Sequence, residues 1–372
     1  MICDRHMVVF VLVTALSLGL FPSCNKFEYG YDESESDMVN PNESKIEFDF
    51  VWDRVDVEDR PEDMTVLMSR KVHSLNYCYR LGAGGEVIAE VPDSSADKTL
   101  SVANGEYYLM AFSDGEGFYS ITDYSSFCEG NALTMKEIYA DVPSISEEDI
   151  FSDKNIVDFN SYSGYVVPAD KPLFLYLNKN LFFPQSAGHI ALNPVDLTRL
   201  FTFSLQLETE AGVSVDRVVA VLSGVPHRVQ LMSGLVSRVT TSKVAFDMYL
   251  KEDSGGVYEG QVRTFGLLSS QDKTMVVGPG ILQVSVFARV HDGAETISRV
   301  FYAGINLKRQ IDSAGIMIPS EDNTGYIAAP QGNIKPFRIA PVLKVMRSHI
   351  EAEEGNGSEV WFENDAEINP EV

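Results

Sequence analysis

Catalysis by a serine would require a nucleophile with a nearby base, and one stretch of the sequence contains a serine in a context similar to that of a nucleophile. KEDSGGVYEG contains Ser254 between acidic residues and two glycines. A serine nucleophile needs an imidazole base and an acid in fixed geometry, and no histidine lies close to Ser254 in the sequence. We therefore interpret this stretch as the polar tip of a hairpin and expect no enzyme activity.

Metal binding would require clustered ligands, and the histidines of this chain are scattered. They are His6, His73, His189, His227, His291 and His349. No two are spaced to form a local zinc site, and the acidic run DESESD lacks the glycine and final glutamate of a calcium loop. No glycine-rich phosphate-binding loop follows a predicted strand. We expect neither a metal nor an organic cofactor.

The four cysteines are the remaining reactive side chains. Cys3 lies in a segment that we expect to be removed, and Cys24 follows that segment. Cys78 and Cys128 remain, both within the predicted first domain. In an oxidising compartment these two could form a disulfide, and two buried free thiols are the equal alternative. The sequence does not decide between these states.

Cys24 follows a segment with the features of an export signal, residues 1–23. An uncharged apolar run extends from Met7 to Phe21, and it is shorter than the roughly 20 residues of a membrane-spanning helix. Its end resembles the lipobox of Bacteroidetes lipoproteins, which implies cleavage before Cys24 and attachment of acyl chains such as palmitate to this residue. An ordinary secretory signal with a free Cys24 thiol is the alternative.

Residues 24–43 predict a flexible acidic tether, because the segment is too polar to pack. Between residues 24 and 37 the only basic side chain is Lys26, and the acidic ones are Glu28, Asp32, Glu33, Glu35 and Asp37. Acidic residues after a lipidated cysteine resemble the surface-export signal of Bacteroidetes lipoproteins. That resemblance implies a lipid-anchored position on the outer membrane, exposed at the cell surface. The alternative is a solvated leader segment that carries no export signal.

The composition describes an acidic chain that can form packed cores. The 372 residues are 45% apolar and carry a net charge of −25. A chain of this length usually corresponds to two domains. The negative charge repels nucleic acid phosphates, and no dense basic segment compensates for it. We therefore exclude nucleic acid as a partner.

The elements that must position these residues are mostly strands. KIEFDFVW and RLFTFSLQLE alternate apolar and polar residues, as half-buried strands do. ILQVSVFARVHDGAETISRVFYAGINL predicts a hairpin that turns at Asp292 and Gly293, and Gly224 in VDRVVAVLSGV predicts a bulge. SISEEDIFSDKN is the best short-helix candidate, with Ser146 as its cap.

The domain organisation follows from these strands. The spacing of Leu100, Gly105 and Tyr107 is similar to the tyrosine corner of Greek-key sandwiches. We predict a mostly β fold with two tandem Greek-key β-sandwich domains, 44–184 and 185–346. They follow the signal (1–23) and the tether (24–43), and an acidic C-terminal tail (347–372) ends the chain.

Two local stretches point to carbohydrate, the first as a bound ligand and the second as an attached glycan. The loop Glu116–Phe127 contains Phe118, Tyr119 and Tyr124, which would stack on sugars if exposed and would otherwise fold back onto the core. The tripeptide Asp312-Ser313-Ala314 is similar to the O-glycosylation sequon of Bacteroidetes exported proteins, which implies a glycan on Ser313. Chance accounts for this short match equally well.

The features that carry a family resemblance are the tether, the tyrosine corner, the Asp-Gly hairpin and the stretches AVLSGVPHRVQLMSG and EVWFENDAEI. The chain resembles the fimbrillin-like lipoproteins of Bacteroidetes, and within them it looks most like the FimB-type accessory or anchor branch. The resemblance implies two transthyretin-like sandwiches that terminate or anchor pili through strand exchange. It implies fimbrial subunits or other surface proteins as partners and offers no catalytic motif. A glycan-binding or otherwise adhesive surface lipoprotein is the alternative.

Overall fold

The structure is a computed structural model. It describes residues 43–367 except 54, 73–74, 91–99, 131–133, 155, 162, 184–187, 238–239, 322–324, 329–335 and 353–359. The predicted signal and Cys24 lie outside the described residues, as does the tether up to residue 42. Their assignment stays a prediction.

Strands dominate the described residues. The strands of the first half are β1 (Glu43–Phe50), β2 (Asp63–Arg70), β3 (Asn76–Gly82), β4 (Val87–Glu90), β5 (Leu100–Ala103), β6 (Gly105–Phe112), β7 (Ser120–Ile121), β8 (Tyr139–Asp141), β9 (Ser144–Ile145), β10 (Tyr165–Val166), β11 (Phe174–Phe183), β12 (His189–Leu192) and β13 (Val195–Asp196).

The second half continues in the same way. Its strands are β14 (Arg199–Thr209), β15 (Val213–Pro226), β16 (Arg228–Gln230), β17 (Leu235–Ser237), β18 (Thr241–Leu250), β19 (Val257–Thr264), β20 (Ile281–Asp292), β21 (Glu295–Asn306), β22 (Met317–Pro319), β23 (Gly325–Ala328), β24 (Phe337–Val345), β25 (Ile350–Ala352) and β26 (Val360–Glu367). The helices are α1 (Ser125–Cys128), α2 (Glu147–Lys154) and α3 (Lys308–Ala314), with 3-10 turns at Val57–Asp59 and Met135–Glu137.

The first half is a sandwich of two sheets. One sheet has the order β13-β11-β6-β2-β3-β4, and the other has the order β12-β1-β5. Alternate residues of β1, namely Ile46, Phe48 and Phe50, are buried in one cluster with residues of β2 and β6. The predicted alternation of KIEFDFVW is therefore confirmed, and it places one face of β1 in the core.

The second half packs two longer sets of strands. One runs β25-β24-β14-β19 and the other β18-β15-β20-β21-β26, and they join where β18 pairs with β19 at Tyr249 and Leu250. Phe201, Phe203 and Leu205 on β14 lie in the same buried cluster as residues of β15 and β20. The mostly β sandwich fold predicted from the sequence is what the structure shows.

Several local predictions are confirmed. The Tyr107 hydroxyl donates to the Ala103 carbonyl at 2.7 Å, which is the expected tyrosine-corner bond. The hairpin of β20 and β21 closes with Asp292 opposite Glu295. The Asp149 N–H donates to Ser146 Oγ at 3.0 Å and caps α2.

Gly224 lies at the predicted bulge, where the β15–β18 register shifts between Ser223 and Val225. Its φ is +85°, and a Cβ there would lie 2.5 Å from the Leu268 carbonyl oxygen. Both the conformation and the close approach require glycine.

Strand pairing crosses the predicted domain boundaries. β12 pairs with β1 and β13 with β11, so residues 189–196 join the first sandwich. In the other direction, β8 pairs with β16 and β10 with β18. The predicted tail is also partly sheet, since β25 pairs with β24 and β26 with β21. Such pairings depend on distant residues, which a local sequence pattern does not contain.

Candidate functional site

Ser254 has a structural role in its turn. It lies between β18 and β19, its hydroxyl donates to the Lys251 carbonyl at 2.5 Å, and it accepts from the Val257 N–H at 3.1 Å. This geometry closes the polar hairpin tip that the sequence predicts. Among the described residues, no group of three or more histidine, cysteine or acidic side chains is arranged to hold a metal ion.

The structure joins Cys78 and Cys128 in a disulfide with a Cα–Cα distance of 5.7 Å. Cys78 is buried on β3, and Cys128 is the last residue of α1. The bond therefore fastens a short helix in a long connection to the first sandwich. Within the part of the chain that is described, no helix is long and apolar enough to cross a membrane.

Tyr119 is buried, with 3% of its surface exposed. Its hydroxyl donates to the Lys171 carbonyl at 2.8 Å, and its ring lies 5.6 Å from that of Phe265. Burial raises the pKa of this hydroxyl above its usual range. Neither the ring face nor the hydroxyl is available to a sugar.

Phe118 and Tyr124 are half-buried against the same core. The Phe118 ring meets Tyr119 edge-on at 4.9 Å, and Tyr124 meets Phe112 edge-on at 5.9 Å. The three candidate aromatic residues thus pack inward, which is the second of the two arrangements that the sequence left open, and they form no exposed stacking platform. Aromatic residues in a loop have no periodicity from which their direction can be read.

Ser313 is exposed on α3, and its hydroxyl donates to the Gln310 carbonyl at 3.0 Å. The neighbouring Asp312 accepts from Ser269 Oγ at 2.7 Å and pairs with Lys308 Nζ at 2.8 Å. The site is accessible to an enzyme, and glycosylation of Ser313 stays a prediction.

The edge strands of the sheets are the other feature that could bind a partner, through their backbone groups. A strand at a sheet edge presents unpaired N–H and C=O groups, and proteins usually limit this exposure by keeping edge strands short. In the described residues the terminal strands are short, with two to four residues each: β4, β5, β7, β9, β12, β13, β22 and β25. β26 is the exception, with eight residues.

β26 pairs with β21 on one side, in a register that places Val360 opposite Ile305 and Phe362 opposite Ala303. On its other side, no strand of the described residues is paired with it. This segment lies within the predicted acidic C-terminal tail, 347–372, and was not predicted as a strand. The run Val360-Trp361-Phe362 was the signal for a strand.

No protein-family model and no curated protein matches the chain. Among solved structures, a candidate adhesin from Bacteroides ovatus covers 80% of this chain and 92% of its own length, at 12% identity and a TM-score of 0.48. The fimbrial anchor protein Mfa2 from Porphyromonas gingivalis covers 77% and 95%, at 11% identity and a TM-score of 0.38. A candidate polysaccharide-binding protein from Bacteroides thetaiotaomicron covers 87% and 98%, at 10% identity and 0.37. At these values the likenesses carry no argument about what this chain binds.

Proposed function

We propose that this chain is a non-catalytic surface lipoprotein that anchors or assists a fimbrium and binds its partner by strand addition at β26. The observation that carries the proposal is that, among the described residues, no strand pairs with the outer side of this eight-residue edge strand. A partner strand placed there would satisfy its free backbone groups, and side-chain contacts would then give specificity.

The contrast with the other sheet ends supports this proposal. An unprotected edge is an aggregation hazard, and the remaining terminal strands of the described sheets are too short to extend a sheet far. A long open edge at one place is therefore best explained by a partner that covers it. The acyl anchor proposed at Cys24 and the acidic tether would hold the chain at the outer membrane surface, where such a partner would lie.

The test uses two proline substitutions in β26 in cells that produce the chain. Successive residues of a strand point their N–H groups in opposite directions, so of Trp361→Pro and Phe362→Pro one removes a bond to β21 and the other a donor on the open side. Proline is tolerated at an edge only where its missing N–H faces outward. We expect one variant to keep the wild-type thermal unfolding and yet to release fimbriae into the medium.

The matched control is Cys24→Ser, which keeps β26 and removes the proposed anchor, so that protein and fimbriae should leave the cell together. Full retention of fimbriae by the stably folded proline variant would contradict strand addition at this edge. Unchanged fimbriae in a deletion strain, together with lost adhesion to glycans, would instead favour the alternative of an adhesive or glycan-binding lipoprotein.

A further inference from the structure

A groove of about 910 Å³ lies beside the first sandwich, in the size range of ligand sites, about 300–1,000 Å³. One wall comes from β2, β6 and β11, and another from α1 and the turn between β16 and β17. This groove shares no residue with β26 and is independent of the function proposed above.

The charge of the groove is opposite to that of the chain. Its lining contains Arg70, Lys71, Lys136 and Lys179 and no carboxylate side chain, whereas the whole sequence has 54 acidic and 29 basic residues. A cluster of cations in an acidic surface concentrates the field of one sign at one place and draws anions to it. The groove therefore fits an anionic ligand.

Two of these cations are held in place while keeping donors free. Arg70 donates to the Asn104 carbonyl at 2.5 Å, and Lys71 donates to Asn180 Oδ1 at 2.8 Å and lies 3.5 Å from Glu106 Oε2. A guanidinium has five N–H donors and an ammonium has three, so each can also bind a ligand carboxylate. Lys136 and Lys179 are exposed at the groove.

The uncharged lining favours a sugar over a small inorganic anion. Gln230 and Ser233 add an amide and a hydroxyl group, of which Ser233 Oγ donates to Gln230 Oε1 and Gln230 Nε2 donates to the Lys136 carbonyl at 2.7 Å. The half-buried Met232 provides apolar surface. Tyr108 lines the same groove with 37% of its surface exposed, and the Lys71 ammonium lies 5.1 Å from its ring centroid. A pyranose ring has polar edges and apolar C–H faces, so an acidic sugar can use all three kinds of lining at once.

Irregular parts of the fold hold this lining. Lys179 lies in the β11 register shift between Asn178 and Leu181, and bulges commonly re-aim side chains at sites. Phe127 precedes the cysteine that ties α1 to β3. Lys136 lies in a 3-10 turn closed by a capping box between Thr134 and Glu137.

From these observations we infer that the groove binds an acidic oligosaccharide, whose carboxylates pair with Lys136, Lys179 and the Arg70–Lys71 corner and whose rings lie on the Tyr108 side. Recognition of this class needs no metal or reaction step. It would give a surface protein a second, carbohydrate-directed contact besides the strand edge.

The test is calorimetric titration of the purified chain with a galacturonic acid pentamer, against neutral maltopentaose. We expect binding of the acidic pentamer only, weakened by salt, and at least tenfold weaker binding in Lys136→Gln/Lys179→Gln. The matched control Lys251→Gln/Lys273→Gln changes the net charge equally but lies outside the groove, and it should bind as the wild type does. All four lysines are exposed, so unchanged thermal unfolding should verify the fold of both variants.

Three outcomes would overturn the inference. They are absent binding of the acidic pentamer, equal losses in the two lysine pairs, and equally tight binding of an aspartate pentapeptide, which would make the groove a peptide site. The variant Tyr108→Ala tests the contact with the aromatic ring separately from the charge of the groove. It should weaken binding of the pentamer several-fold while leaving the salt dependence unchanged.

Discussion

At the residue scale, the least expected feature is a buried ion pair. Lys243 and Asp158 have 1% and 3% of their side chains exposed, and Nζ lies 2.5 Å from Oδ2. The Tyr165 hydroxyl also donates to Asp158 Oδ2, and Lys243 donates to the Asn160 carbonyl. Burial, together with the bond to Asp158, raises the pKa of Tyr165 above its ordinary range. No pattern in SKVAFDMYL marked its lysine as a buried residue.

This network predicts a strong difference between breaking and replacing the pair. Asp158→Ala should lower the free energy of unfolding by about 3–5 kcal/mol, because it leaves the buried ammonium with only the exposed Glu147 carboxylate, 3.9 Å away, as an acidic neighbour. Lys243→Met combined with Asp158→Leu should recover most of that loss, since no charge stays buried. Urea unfolding of the two variants measures both values. If the single and the double variant lose equal free energy of unfolding, the pair stabilises the fold by packing alone.

At the element scale, the sequence predicted the long strands because their alternation is a local property. The residues of β1 and β14 and the β20–β21 turn carried this signal themselves, as did the bulge at Gly224. Short strands such as β8 and β16 were missed, because two or three residues define no period and their pairing is set by distant partners. The groove was missed for the same reason, since its cations come from separate elements.

The disulfide predicts the behaviour of α1. It closes a loop with a sequence separation of 50, for which the chain-entropy model gives a stabilisation of about 4 kcal/mol. The double variant Cys78→Ser/Cys128→Ser should lose stability of this order and should exchange amide hydrogens faster in residues 125–128. Unchanged exchange in α1 would mean that packing of Phe127 alone holds the helix.

At the scale of the whole molecule, the fold class was predictable and the boundaries were not. The described residues belong to one compact unit, Asn42–Val372. The large buried cluster includes Leu67 and Met110 from the first half together with Phe203 and Val284 from the second. The division predicted at residue 185 rested on local sequence patterns, but a division also depends on which strands pair, and that information is not local.

The pairing of β12 with β1 predicts how fragments of the chain behave. The fragment 44–196 should be more stable than 44–184 by roughly 3 kcal/mol or more, because Ile190 and Leu192 are buried in the first core and each contributes about 1.5–3 kcal/mol. Urea unfolding compares the two fragments. A 44–196 fragment with Ile190→Ser and Leu192→Ser keeps the length and should lose the gain. If it does not, the added residues stabilise by backbone pairing alone.

β1 is the first described strand, and it is bonded on both sides, parallel to β12 and antiparallel to β5. The Glu47 N–H donates to the Gly188 carbonyl at 2.6 Å, and the Val51 N–H donates to the Leu192 carbonyl at 2.8 Å. Tension entering the chain before Glu43 and directed along β1 would load both ladders in shear, so many bonds would share the force at once. A strand peeled sideways from a sheet would instead lose its bonds one after another. The geometry at the start of the fold is thus mechanically suited to a protein held by its N-terminal end.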